Sequence, residues 1–156
     1  MKRILAALLL LVLCAGCAAA EDDEGYYILC RPDGLVNVHS RPVKDSPVIG
    51  WVAFGRYVRT DGIRKGNYIH VIDLAAEEED GWVCAGYLVY DRPRGEAYRA
   101  EIVSEWNVIA RKNIGGKRVN RLRNGQKVTV YARSNEWAVT SKGFIMCDWL
   151  KEVDEE

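Results

Sequence analysis

This sequence predicts an all-β protein made of two tandem copies of one small unit, and three observations carry the prediction. The first is repetition. Asn37-Val38 recurs as Asn107-Val108, Arg41 as Arg111, Gly55 as Gly125 and Val58 as Val128, all at an offset of 70, with Ile49 and Val52 answered by Val119 and Leu122. Farther along the offset is 62, where Gly81-Trp82-Val83 returns as Gly143-Phe144-Ile145 and Tyr87-Leu88 as Trp149-Leu150. An acidic stretch from Asp73 to Asp80, found only in the first copy, accounts for most of the slip. Shared glycines and apolar positions with variable residues between them indicate one fold used twice. The second observation is the spacing of short β-branched and aromatic runs between Gly, Pro and Asn, which suits a barrel or sandwich. The third is that no segment shows a convincing amphipathic helical period.

Residues 1–20 stand apart from the repeat. Lys2 and Arg3 precede an apolar run from Ile4 to Leu13 and then small residues, the layout of an export signal. The run is too short to span a bilayer, which takes roughly 20 residues in a helix. Two processing sites are open. Cys14-Ala15-Gly16-Cys17 resembles a lipoprotein box in which Cys17 receives the lipid, although Cys14 stands where Leu is usual; Ala18-Ala19-Ala20 offers a secretory cleavage site instead. The expected location is therefore extracellular or on the cell envelope, with contact to a membrane only through a lipid anchor.

The first unit is expected over residues 26–90 and the second over 97–153, joined by Tyr90-Asp91-Arg92-Pro93-Arg94-Gly95-Glu96, where Pro and Gly amid charges mark a connector. In the first unit, Tyr26–Cys30 and Leu35–Val38 flank a Pro32-Asp33-Gly34 turn. Val48–Val52, Tyr57–Thr60, Tyr68–Val71 (after a Lys65-Gly66-Asn67 turn) and Gly81–Cys84 follow. The second unit repeats the order with Ile102-Val103, Trp106–Ile109, Arg118–Leu122, Lys127–Tyr131, Glu136–Thr140 and Gly143–Met146. Ala75 to Asp80 reads as an exposed loop.

The words of the first unit resemble those of the bacterial Src-homology-3 domain family. Leu35-Val36-Asn37-Val38-His39-Ser40-Arg41-Pro42 is similar to its L-N-V-R-x-x-P opening, with His39 in place of Arg. Val48-Ile49-Gly50, Gly55-Arg56-Tyr57-Val58 and Gly81-Trp82-Val83-Cys84-Ala85-Gly86-Tyr87-Leu88 follow in the family's order. The second unit is more divergent: Trp106–Arg111 lacks the Pro, while Gly125–Val128 and Gly143–Leu150 remain recognisable. The resemblance implies two SH3-like barrels in an exported protein that binds cell-wall peptide or glycan. Each barrel would have a marginal core, because small domains bury a low fraction of their surface. The glycine before each closing aromatic suits a turn with positive φ.

Chemistry is sparse. The two histidines, His39 and His70, face Ile109 and Val139 in the repeat alignment and so are not shared. Exported cell-wall peptidases with a Cys nucleophile often carry domains of this kind, but no residues remain here for a catalytic domain. No local signature pairs a cysteine with a histidine, and metal-typical spacings are missing from the mature chain. The expectation is a non-enzyme with no cofactor and no metal. Beyond the leader, Cys30, Cys84 and Cys147 remain; export would allow a Cys30–Cys84 disulfide, and small apolar filler thiols are the alternative.

Charge excludes one partner class. The chain has 22 basic and 22 acidic residues, and loss of Lys2 and Arg3 leaves a small acidic excess. A nucleic-acid binder of this size would show a basic excess. The cluster Lys117-Arg118 to Arg123 alternates with Val119 and Leu122 and reads as the solvated face of a strand. Aromatic content points instead to surface recognition: five Trp and eight Tyr exceed what two tiny cores can hide. Trp51 leads the candidates, because its counterpart is Arg121 and a charged residue seldom occupies a buried position; Tyr57 and Tyr68 join it as ligand-binding candidates. Trp82/Phe144 and Tyr87/Trp149 are expected to pack the barrels. The expected partner is peptidoglycan, or, in an adaptor role, another exported protein at the envelope.

Overall fold

The computed structural model describes residues 24–74 and 79–153. The segment expected to be an export signal, with Cys17, and the centre of the acidic stretch lie outside the described residues. The first unit contains β1 (Gly25–Ile28), β2 (Leu35–His39), β3 (Val48–Ala53), β4 (Tyr57–Lys65), β5 (Tyr68–Leu74), β6 (Glu79–Cys84), a 3-10 turn at Ala85–Tyr87 and β7 (Leu88–Val89). The second contains β8 (Tyr98–Ile102), β9 (Val108–Arg111), β10 (Arg118–Leu122), β11 (Lys127–Arg133), β12 (Trp137–Thr140), β13 (Gly143–Met146), a 3-10 turn at Cys147–Trp149 and β14 (Leu150–Glu152). Among the described residues no helix is long and apolar enough to cross a membrane.

The two units share one topology. Their antiparallel sheets run β3-β2-β6-β5-β4-β1-β7 and β10-β9-β13-β12-β11-β8-β14, the same order seven strands apart. No ladder joins β3 to β7 or β10 to β14, so neither sheet closes into a barrel by hydrogen bonding. Each sheet nonetheless curls around a single core. In the first unit that core takes Ile28, Val36, Val38, Val52, Val58, Ile69, Val71, Val83 and Leu88, at least one residue from every strand. The second uses Ala100, Ile102, Val108, Ala110, Leu122, Val128, Val130, Ala138 and Ile145. The alternation that produces these cores is plain in β11, where Val128, Val130 and Ala132 are buried and their neighbours are not.

Strand pairing corrects the repeat alignment in one place. Trp82 pairs with His39, and Phe144 pairs with Arg111. Val36 lies opposite Val52, whereas Val108 lies opposite Leu122. His39 therefore corresponds to Arg111 rather than to Ile109, and Asn37-Val38 to Ile109-Ala110 rather than to Asn107-Val108. Shorter connections around β9 move the offset there to 72. Because strand side chains alternate with a period of two, a shift of two residues leaves every side chain on its own face. The sequence match was thus in phase but out of register.

The glycines before the closing aromatics serve different needs. Gly143 has φ of 122°, a conformation that L side chains rarely adopt. Gly81 is there for space: a Cβ would come within 2.3 Å of the Val38 side chain.

A third apolar cluster joins the units. Leu29 and Val89 of the first meet Ala132, Val139 and Phe144 of the second, with Tyr27, Phe54, Tyr87, Ile114 and Trp137 packed around them. Of the aromatics expected to fill the barrels, Tyr87 packs against its own core as well as the inter-unit cluster, whereas Phe144 and Trp82 do something else. Phe144 lies in this inter-unit cluster with its ring edge-on to Tyr87 at 5.9 Å. Trp82 stays half-buried on the outer side of its sheet, against His70 at 4.8 Å and under the Lys65 ammonium at 5.4 Å. Inward positions of β6 and β13 are already held by Val83 and Ile145, so the neighbouring aromatics must face outward. The connector is tied down as well, by paired backbone hydrogen bonds between Arg94 and Arg133.

Candidate functional site

Both histidines lie across the ladder from Trp82, one on β2 and one on β5, and each has its own polar partner. His39 is buried and its Nδ1 lies 3.2 Å from the Ser46 carbonyl oxygen. His70 Nδ1 lies 2.7 Å from an Asp61 carboxylate oxygen. Desolvation works against ionisation of Asp61, but hydrogen bonds from His70 and the Ile63 amide outweigh it and hold the carboxyl below its usual range. Among the described residues Cys30, Cys84 and Cys147 are free thiols, so the structure does not contain the expected Cys30–Cys84 disulfide. The reason is local: the Cys30 thiol donates to the carbonyls of Arg31 and Gly34 inside its own turn, while Cys84 Sγ accepts from Asn113 of the other unit. Burial, with a contribution from Asp33, pushes the Cys30 thiol up to about 11, and burial raises Cys147 too. An activated nucleophilic thiol needs the opposite shift. Among the described residues no group of three His, Cys, Asp or Glu could hold a metal ion.

The three aromatic candidates of the first unit do not converge. Trp51 is 67% exposed on edge strand β3, with Val52 taking the inward position. Tyr57, on β4, packs against Tyr27 with ring centroids 5.2 Å apart. Tyr68 is half-buried, edge-on to His39 at 5.6 Å. None of them lines the clefts described below.

The second unit gathers its aromatics. A cleft of about 270 Å³ is lined by Ser104, Trp106, Asn107, Val108, Ile109, Arg111, Trp137, Met146 and Trp149, all residues of that unit. Trp106 is 78% exposed, Met146 40% and Trp149 38%. Each arrives for a local reason. Trp106 precedes β9 in a bend closed by its backbone N–H on Ser104 Oγ at 3.1 Å. Trp137 opens β12 opposite Met146 at the end of β13, and the following 3-10 turn carries Trp149. Across Trp106, Asn107 and Ile109 the surface continues into an open trough of about 600 Å³ walled by Arg118, Val119, Asn120 and Arg121.

The corresponding corner of the first unit is partly filled by the second, and the cleft of about 350 Å³ that remains there is walled by Cys84, Gly86 and Leu88 of the first unit and by Asn113 and Ile114 of the second. Backbone hydrogen bonds to Tyr87 and Trp149, and the pairs Tyr68–Cys84 and Trp137–Met146, match Tyr68, Cys84 and Tyr87 to Trp137, Met146 and Trp149. Onto Cys84 and the 3-10 turn sits the β9–β10 loop. The Asn113 side-chain amide donates to Cys84 Sγ at 3.3 Å, and the Ile114 N–H donates to the Gly86 carbonyl at 2.9 Å. Gly86 permits this approach, since a Cβ there would lie 2.7 Å from both the Asn113 side chain and the Ile114 carbonyl oxygen. In the second unit the matching residue is Asp148. Of the four residues that make this face, Trp106 and Trp137 counted in the sequence only toward the aromatic surplus, Trp149 was expected to pack its barrel, and Met146 carried no signal beyond replacing Cys84.

No family model matches the chain, and no curated protein does. Among solved structures it is similar to NlpC1 from Trichomonas vaginalis, at 20% identity and a TM-score of 0.35, over 84% of this chain and 48% of that one. It is also similar to NlpC2 from the same organism, at 18% identity and a TM-score of 0.35, over 84% of this chain and 50% of that one. The chain thus spans about half the length of either structure.

Proposed function

We propose that this chain is a non-catalytic exported binding module that holds cell-wall peptide or glycan on the aromatic cleft of its second unit. The observation that carries the reading is the grouping of Trp106, Trp137, Trp149 and Met146 around one open cleft. Trp side chains offer rigid contact area with little conformational entropy to lose, and they dominate interface energetics. The bacterial SH3-like resemblance of the repeat words and the export-signal layout of residues 1–20, with Cys17 as a lipid-attachment point, support the same compartment and ligand class. The raised thiol of Cys30, together with the engagement of His39 by the Ser46 carbonyl and of His70 by Asp61, favours binding over catalysis.

Retention of the full chain on purified peptidoglycan tests the reading. Binding that is lost in Trp106→Ala, with the folded spectrum intact, is the expected result. No retention of the unaltered protein would reject the cell-wall ligand and leave the adaptor role at the envelope.

A further inference from the structure

Beyond the aromatic cleft, the outer face of the β9–β10 hairpin concentrates positive charge. Arg118 pairs across the ladder with Arg111, and Arg121 with Ile109. The register shifts between Arg118 and Asn120; the bulged residue, Val119, returns Arg118 to the face that Arg121 occupies. Ala110 and Val108 point into the core, so Ile109, Arg111, Arg118 and Arg121 share the outer face.

Like charges placed directly across a ladder are destabilising, and no ion pair among the described residues offsets them. Arg118 and Arg121 are exposed and make no ion pair among the described residues. Arg111 gives one guanidinium N–H to the Gly116 carbonyl at 2.9 Å, a neutral acceptor. Glu105, Glu136 and Asp148, the acidic sequence neighbours of Trp106, Trp137 and Trp149, do not line either cleft. The first unit has no such ladder: Val48 stands opposite His39, and Trp51 opposite Asn37.

The same hairpin ends in a free sheet edge. Among the described residues β10 pairs only with β9, leaving backbone donors and acceptors from Arg118 to Leu122 available on its other side. An extended peptide can add to such an edge through main-chain hydrogen bonds while its side chains select on the face; a saccharide cannot form that ladder.

We infer that this face takes an extended peptide bearing a carboxylate, with an apolar part on Trp106 and the carboxylate held by Arg118 and Arg121 beside Arg111. Guanidinium groups bind carboxylates through paired, charge-assisted hydrogen bonds, and an anion here relieves the Arg118–Arg111 repulsion. The inference rests on the second-unit cleft proposed above and names the chemistry of its ligand.

The test uses the full chain and three synthetic probes: a hexapeptide of Gly and Ser with one Leu and one Glu, its Gln counterpart, and a disaccharide containing glucuronic acid. Binding is read from Trp fluorescence at low and moderate salt. The Glu peptide should bind at least about tenfold more tightly than the Gln peptide. That preference should shrink in Arg118→Gln/Arg121→Gln, recover in part in Arg118→Lys/Arg121→Lys, and weaken with salt, while Trp106→Ala weakens both peptides. Equal binding of the Glu and Gln peptides would overturn the inference and assign the arginines to blunting a sheet edge. Preference for the disaccharide would overturn it in favour of an acidic glycan. Peptidoglycan retention separates the two readings: retention lost in Trp106→Ala but unchanged in the Arg118→Gln/Arg121→Gln protein keeps the proposed function and rejects the carboxylate ligand. Selective binding of the Glu peptide without peptidoglycan retention does the reverse. Both arginines are exposed, so a melting temperature no lower than that of the unaltered protein verifies that these variants fold.

Discussion

The Asn113 side-chain amide of the second unit donates to Cys84 Sγ of the first at 3.3 Å, and this contact distinguishes two otherwise matching faces. In the first unit the loop around Asn113 covers the corner formed by Cys84 and Tyr87. In the second, Met146 and Trp149 remain open to solvent. A duplicated fold has thereby been divided: one copy uses the corner to hold its neighbour, the other leaves it open to solvent.

Gly86 should control that division. Gly86→Ala places a methyl group 2.7 Å from the Asn113 side chain and the Ile114 backbone oxygen, so the loop must move. Overpacking of this kind costs about 1–3 kcal/mol, read as a lower urea midpoint. An unchanged midpoint would show that the loop yields freely and that the contact contributes little.

Phe144 and Trp82 occupy matching sheet positions but should differ in cost. Phe144→Ala empties the cluster between the units and is expected to destabilise by about 3–5 kcal/mol. It should also split a single calorimetric transition into two, because this cluster couples the units. Trp82→Ala, at a half-buried outer position, should cost clearly less and leave one transition. Equal losses would mean that the inter-unit cluster is not what couples them.

Exposed aromatics should not contribute equally to binding. Trp106→Ala and Trp149→Ala are each expected to weaken retention on cell-wall material by about 1–3 kcal/mol, the range for aromatic anchors in a binding cleft. Trp51→Ala, although Trp51 is 67% exposed, should change retention little, because Trp51 lines neither cleft. A greater loss in the Trp51→Ala protein would move the site to the first unit.

Cys30 predicts an alkaline limit on stability. Burial raises its thiol from the ordinary value of 9.0 to about 11 in the folded chain. The unfolded chain therefore releases this proton first, so the stability tied to Cys30 is complete below about pH 9 and is lost as pH rises towards 11. Urea midpoints of the unaltered protein and of Cys30→Ala, compared at pH 7 and pH 10.5, should converge as the pH rises. A constant difference would show that ionisation of Cys30 is not linked to folding.

Much of the fold was legible in the chain because its determinants are local. The turns at Gly55 and Gly125 have φ of 69° and 79°, conformations that mark themselves by residue type. Alternation placed Val58 and Val128 inside, and repetition established that one unit occurs twice. Register was less legible: a two-residue shift preserves every face, so only the pairing of Trp82 with His39 and of Phe144 with Arg111 could align β2 with β9.

The candidate site was only partly legible, for a different physical reason. Sequence determined that this protein is all-β, duplicated and richer in Trp and Tyr than its cores require. It also marked Trp51 as exposed, because a charged counterpart excludes burial. Which aromatics share a cleft depends on the third dimension. Tertiary structure decided that Phe144 would be buried between the units rather than within one, that Gly86 would admit the Asn113 loop, and that Arg118 would stand across from Arg111. These outcomes depend on how two sheets meet and on where one bulge falls, contacts between residues far apart in the chain that no local pattern encodes.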